Sequence, residues 1–243
     1  MRLNRAAEQS GEGNGSSFRP GVRLTLFVAV FLPLTLVLGN WQLNRAEEKL
    51  AMQESYLANI TQLPVVPDAQ TTLDPFKRVK LDGHLRPEVF LVDNQISDRQ
   101  AGYWAVQVLE QTNGVRWLVN RGFFPAPGSR EQLPDIPTND QPVSVVGVAW
   151  PYTGLVPLLA EDPWSGTWPQ RVQRLNTARM AELTGAQDVE IRLEQSALAP
   201  RPAPFVTVLS RDKHLGYAAT WFGLALALLV LYLVAGWRRS DES

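Results

Sequence analysis

Cysteine is absent from this sequence, and histidine occurs only twice, at positions 84 and 214. The first absence excludes disulfides, thiolate zinc sites, Cys-x-x-Cys redox chemistry and covalent c-type haem attachment. The scarcity of histidine, with three methionines including the initiator, argues against a multi-ligand copper or zinc site built by this chain alone. An excess of charge is missing too. The 23 basic and 24 acidic residues leave a formal charge of −1, without the clustered basic surface that nucleic-acid binding needs. No Gly-x-Ser-x-Gly nucleophile elbow occurs. The paired carboxylates Glu47–Glu48, Glu161–Asp162 and Asp241–Glu242 fall on a presumed helix face, a loop and a tail, where the ordinary reading is a solvated surface. His84, beside Asp82 in "LDGHLRP", reads as a solvated histidine at a strand-to-turn junction. No catalytic constellation emerges, and an enzyme is not expected.

Two long apolar runs are present. The first, Leu24 to Leu38, covers about 22 Å as a helix and reaches the roughly 30 Å of a hydrocarbon core only by continuing through Trp41 to Leu43. The second, Leu215 to Trp237, covers about 34 Å without an internal charge. No small-x-small cleavage site follows the first run, which reads "LGNWQLNR", so a retained anchor is expected rather than a cleaved signal peptide. Arg2, Arg5, Arg19 and Arg23 precede the first run, and Arg238 and Arg239 follow the second. The positive-inside rule then predicts a hairpin in the bilayer with both termini cytoplasmic. The expected organisation is a disordered, Gly/Ser-rich cytoplasmic tail (1–21), a first transmembrane helix (22–43), an extracytoplasmic domain (44–213), a second transmembrane helix (214–237) and a short cytoplasmic tail (238–243).

The first helix is expected to project beyond the membrane, because Leu43, Ala46, Leu50, Leu57 and Ile60 recur at helical spacing. Pro64 and Pro67 should end it. β-rich runs follow over 76–83, 88–94, 103–111, 115–122, 142–150, 189–196 and 205–209. Asn113-Gly114 marks a hairpin. One short helix in "NTARMAELTG" has Asn176 or Thr177 as N-cap and Gly185 as its stop. The fold class this implies is a membrane α+β protein, its two helices flanking an antiparallel sandwich or partly closed barrel. The stretch from Pro151 to Pro169 reads as a long loop, with Trp164 and Trp168 either at a membrane surface or in a satellite core.

His214 stands in "RDKHLGYAATWFG", at the mouth of the second apolar run. On a helix it shares a face with Tyr217, Ala218, Trp221 and Ala225, while Gly216, Ala219, Thr220, Gly223 and Ala227 form a small-residue ridge on the opposite side. A flat apolar cofactor needs an axial nitrogen, aromatic surface and room for a ring, which the first face offers. An interfacial histidine beside an aromatic belt explains the same residues. In a hairpin, Trp41, Gln42 and Arg45 lie at the depth of Lys213, His214, Tyr217 and Trp221.

The segments "LGNWQLNRAEEK", "RVKLDG", "AGYWAVQVLE", "WLVNRGFFP", "VVGVAW" and "HLGYAATWF" occur in the order that resembles the surfeit-locus family of cytochrome c oxidase assembly factors, in its bacterial type. The match covers most of residues 24 to 235. Phe123 departs from it, standing where a Trp is usual, and 151–170 aligns with nothing in the family. The resemblance implies a role in maturing the catalytic subunit of cytochrome c oxidase, at insertion of haem a. It also implies a multi-pass protein of the cell's inner (plasma) membrane with its central domain on the periplasmic side. In bacterial members the histidine opening the second span is associated with haem a, which makes His214 the expected metal ligand. Trp41, Arg45, Tyr217 and Trp221 are added as cofactor-binding candidates from their position. The alternative is an interaction protein that stabilises an oxidase assembly intermediate and binds no cofactor.

Overall fold

The computed structural model describes residue 18 and residues 20–129, 132–138, 140–151, 154, 161–204 and 210–241. Residues 1–17 and 19 of the expected disordered tail, with Arg2, Arg5 and Arg19, and the expected strand over 205–209 lie outside them. The chain divides into two compact units, Met1–Leu50 with Thr207–Ser243, and Ala51–Val206.

The first unit is a pair of helices. Helix α1 spans Val22–Ile60, and α3 spans Arg211–Asp241. Both are long and apolar enough to cross a membrane. As the spacing predicts, α1 runs well past its apolar segment and stops before Pro64. Its buried residues are Val28, Thr35, Gly39, Gln42 and Ala46, which repeat at sevens and alternating threes and fours. His214, Ala218 and Ala225 are buried on α3 in the same rhythm. This is the 3.5-residue repeat of helices that pack side by side along one seam. Small side chains make the seam close: a Cβ added at Gly39 would lie 2.8 Å from the Phe222 ring. The Thr25 and Tyr232 hydroxyls meet at 3.2 Å farther along it.

The seam therefore uses the His214 face of α3. Gly216 and Gly223, expected on the close-packing ridge, have open space where a Cβ would stand, and Ala219, Thr220 and Ala227 are exposed. Small residues on both faces, Ala218 and Ala225 on one and Gly216 and Gly223 on the other, left the choice to the partner helix. Gly39 on α1 selects the face that carries Phe222 and His214.

The second unit is β-rich, as expected. Its strands are β1 (Arg78–Ser97), β2 (Gln100–Gln111), β3 (Arg116–Pro125), β4 (Val143–Trp150), β5 (Gln170–Val172) and β6 (Glu190–Leu193). They form one sheet in the order β2-β3-β6-β4-β1-β5, with β1 pairing β2 as well. Five strands thus close into a ring, and β5 adds to the far half of β1. The pairs are antiparallel except β3–β6 and β1–β5. Closure leaves the ring without the exposed edges that invite aggregation.

Strand β1 joins the two runs expected over 76–83 and 88–94. Gly83, read as a strand end, is a crossing point: it pairs with Gln111 of β2 and Val143 of β4, and a Cβ there would lie 2.2 Å from the Glu110 carbonyl oxygen. His84 consequently sits within the strand opposite Glu110, exposed, and not at a turn. The register shifts between Leu85 and Val89, around Pro87, which has no N–H to give to a ladder. The Asn113-Gly114 hairpin forms as predicted, with Gly114 at φ 82 and its N–H bonded to Gln111 O. The short helix α2 spans Thr177–Thr184, where the Asn176 side chain accepts from Arg179 N and Gly185 closes the helix in the left-handed region.

Val79, Leu81, Leu109, Trp117, Val119, Ile191 and Leu193 are among the residues that fill the ring. The intervening residues Val106, Val108 and Leu118 point outward and are buried as well, against Phe90, Val172 and Met180. Trp164 and Trp168 pack on this outer layer, each edge-on to Phe90. The satellite-core reading of these tryptophans is the one that holds.

Candidate functional site

His214 lies in the first turn of α3, where its N–H reaches Ser210 O at 3.3 Å. Arg211, Asp212 and Lys213 before it are exposed, and His214 is the first residue of the helix to turn into the seam. Only 6% of it is accessible. Its Nδ1 is 2.7 Å from Oε1 of Gln42, and Gln42 is itself buried on α1. A polar pair placed on an apolar seam needs mutual satisfaction, because an unpartnered amide or imidazole in such surroundings costs on the order of 1–3 kcal/mol.

With the amide oxygen as acceptor, the ring that completes this contact is one that donates from Nδ1. A neutral imidazole has one N–H, and its lone pair then belongs to Nε2. In chemical terms this is a ring with one nitrogen anchored and the other basic, the arrangement that metal-ligating histidines adopt.

The other expected residues take different places. Trp41 and Arg45 sit one turn apart on an exposed part of α1 and contact each other, the guanidinium carbon lying 5.7 Å from the ring centroid. Arg45 also donates to Glu48 at 2.7 Å. Tyr217 is half exposed and Trp221 half-buried. The structure therefore brings His214 together with Gln42, and Trp41 together with Arg45. Gln42 belonged to the expected interfacial zone, but its direct partnership with His214 was not anticipated. Its place in the sevenfold series Val28, Thr35, Gln42 is the signal that could have found it.

Among the described residues, no three His, Cys, Asp or Glu side chains group to hold a metal ion. A bare ion has no multi-ligand site there, whereas iron carried in a porphyrin needs from the protein only an axial nitrogen. His214 Nε2 fits that need by the chemistry of its donor. Exposed cations at Arg45 and Lys213 suit carboxylates at the polar edge of such a ring.

The second unit holds polar groups of another kind. Arg121 is almost fully buried in β3 and donates to Leu198 O (3.0 Å), Pro137 O (2.9 Å) and Gln107 Oε1 (2.6 Å). Burial holds its guanidinium below the usual arginine range. Arg192 lies 3.7 Å over the Trp150 ring and pairs with buried Glu190 at 3.0 Å. Asp162, expected on a solvated loop, is buried because its Oδ1 accepts Gln173 N at 2.7 Å and ties the segment to β5. These groups fasten loops to the barrel.

Two apolar helices flanking a β-rich barrel domain define a membrane α+β protein, and the comparisons with known proteins are specific about which kind. The model of the SURF1 family matches residues 29–226, and the chain belongs to that family. It is 29% identical to the SURF1-like protein of Rickettsia bellii over 91% of this chain and 93% of the relative. It is 27% identical to Surfeit locus protein 1 of Homo sapiens, over 85% of this chain and 75% of the relative, and 27% identical to that of Xenopus tropicalis, over 82% and 71%.

Proposed function

We propose that this protein is an assembly factor for haem-copper cytochrome c oxidase, that it binds haem a transiently through His214, and that it aids insertion of the haem into the catalytic subunit. The observation that carries the reading is the buried His214–Gln42 pair, which leaves Nε2 as a ligand nitrogen. Bound haem a would supply the redox-active iron and an apolar macrocycle. The chain's own part is to offer one nitrogen, an aromatic ring two turns along the same helix face at Trp221, and cations at Arg45 and Lys213. Among the described residues, α1 and α3 add no further histidine, and their one methionine, Met52, lies past Leu50 on the part of α1 that belongs to the second unit. A single axial bond suits a site that must release its ligand.

The proposed topology is a hairpin in the plasma membrane with the barrel outside the cytoplasm, on the strength of the flanking arginines. The partners are the lipid bilayer and the oxidase catalytic subunit.

One observation favours a second reading. His214 is buried and already hydrogen-bonded, as a purely structural link between two membrane helices would be. The protein would then steady an oxidase intermediate without a cofactor. Replacing the chromosomal copy with His214→Ala separates the two. The haem reading expects the oxidase subunit still to co-purify with the variant while its haem a content falls. Normal haem a content in that subunit supports the structural reading.

A further inference from the structure

In the barrel, Arg121, Gln107 and Asn120 are held by loop carbonyls and neighbouring side chains. The buried Arg86 Nε, Glu88 Oε2 and Asp162 Oδ2 that lack a hydrogen-bond partner are scattered without forming a site, and the exposed small-residue face of α3 has nothing to say what covers it. The contact between Gln42 and His214 goes further. A neutral imidazole without a partner in water favours the hydrogen on Nε2, which leaves that nitrogen unable to ligate. The carbonyl oxygen of Gln42, 2.7 Å from Nδ1, reverses the preference. Both side chains are buried, so water competes little for either group, and the hydrogen bond sets the tautomer.

We propose that Gln42 is the positioning residue of His214, holding its ring in the Nδ1–H tautomer and presenting a basic Nε2 to haem iron. The tautomer stands on the geometry alone; the ligand rests on the haem reading given above. Gln42 does not touch the iron. It acts through the ring, as the partners that accept the second N–H of metal-bound histidines do. An amide accepts more weakly than a carboxylate, so the imidazole keeps less imidazolate character and a bond that can be broken at handoff.

The test uses the full chain in detergent, and the small number of histidines makes it clean. With His84→Ala, at an exposed strand position, ¹⁵N-histidine labelling reports on His214 alone. The haem-free protein is expected to show a protonated Nδ1 and a pyridine-like Nε2. Gln42→Leu should move the population toward Nε2–H. Gln42→Glu, whose carboxylate accepts and does not donate, should keep Nδ1 protonated and so controls for folding of the helix pair. An Nε2–H ring in the starting protein overturns the tautomer assignment, and an unchanged ring in Gln42→Leu overturns the part of Gln42 in setting it.

Titration with haem a forms the second arm. Gln42→Leu should weaken binding about 10- to 100-fold and raise the midpoint potential, while Gln42→Glu should lower it by making the ring more electron-rich. If the tautomer is as expected and no haem binds, the haem reading falls and the tautomer assignment stands. If haem binds through His214 and Gln42→Leu changes neither affinity nor potential, the positioning role falls and the ligand stands.

Discussion

Gln42 and His214, 172 positions apart in the chain, meet at 2.7 Å inside the seam of the helix pair. Side-chain hydrogen bonds between membrane helices contribute about 0.6 kcal/mol on average and rarely more than about 1.7. That is small beside the packing of Val28, Gly39, Ala46, Ala218 and Ala225 along the same seam. His214→Ala is therefore expected to insert and to keep the pair, with a stability loss of about 1–2 kcal/mol in detergent unfolding. A much larger loss would make the histidine a structural keystone.

Gly39 and the exposed glycines of α3 make opposite predictions. A side chain at Gly39 meets the Phe222 ring, so Gly39→Leu should force the helices apart and cost about 1–3 kcal/mol. Gly216→Leu and Gly223→Leu meet nothing and should leave unfolding of the pair unchanged. Equal effects at all three positions would show that the seam is drawn on the wrong face.

In the barrel, Arg121 holds Leu198, Pro137 and Gln107 at once. Arg121→Met fills similar space but strands three acceptors, and should destabilise the second unit by about 3–5 kcal/mol in denaturant titration. The depressed guanidinium pKa means that burial opposes the charge. Arginine nonetheless stays protonated in proteins, so the loss should be the same across the neutral pH range. A loss below about 1 kcal/mol would show the three carbonyl groups to be satisfied without it.

Much of this architecture was legible in the sequence, because length and apolarity announce the two helices, and Asn113-Gly114, Asn176 and Gly185 each carry a local geometric cause. What the sequence concealed was non-local. Gly83 looks like a strand stop until Glu110 of β2 lies against it. Trp164 and Trp168 suit a membrane surface until Phe90 lies beneath them. At the candidate site, helical spacing placed His214, Ala218 and Ala225 on one face, but it could not tell that α1 would take that face. The helix packing chose Gln42 over Trp41 and Arg45 as the partner of the histidine.

The topology is open to direct measurement. Reporter fusions at either end of the chain should give a cytoplasmic signal, and fusions within residues 44–213 an extracytoplasmic one. A cytoplasmic signal from the barrel domain would invert the hairpin and place His214 at the wrong membrane face for the proposed handoff.

The role of His214 is tested most directly by the reduced-minus-oxidised visible spectrum of the full-length protein, purified from membranes of cells that make haem a. The wild-type chain is expected to carry a haem a signal. His214→Ala should lose or strongly alter it, because alanine has no lone pair to give the iron. His84→Ala, at an exposed position of β1, should leave it unchanged. Arg45→Ala should weaken it to an intermediate degree if its guanidinium leaves Glu48 to meet a haem carboxylate. A wild-type protein without haem, or a His214→Ala protein with the wild-type spectrum, would contradict the assignment of His214 as the ligand.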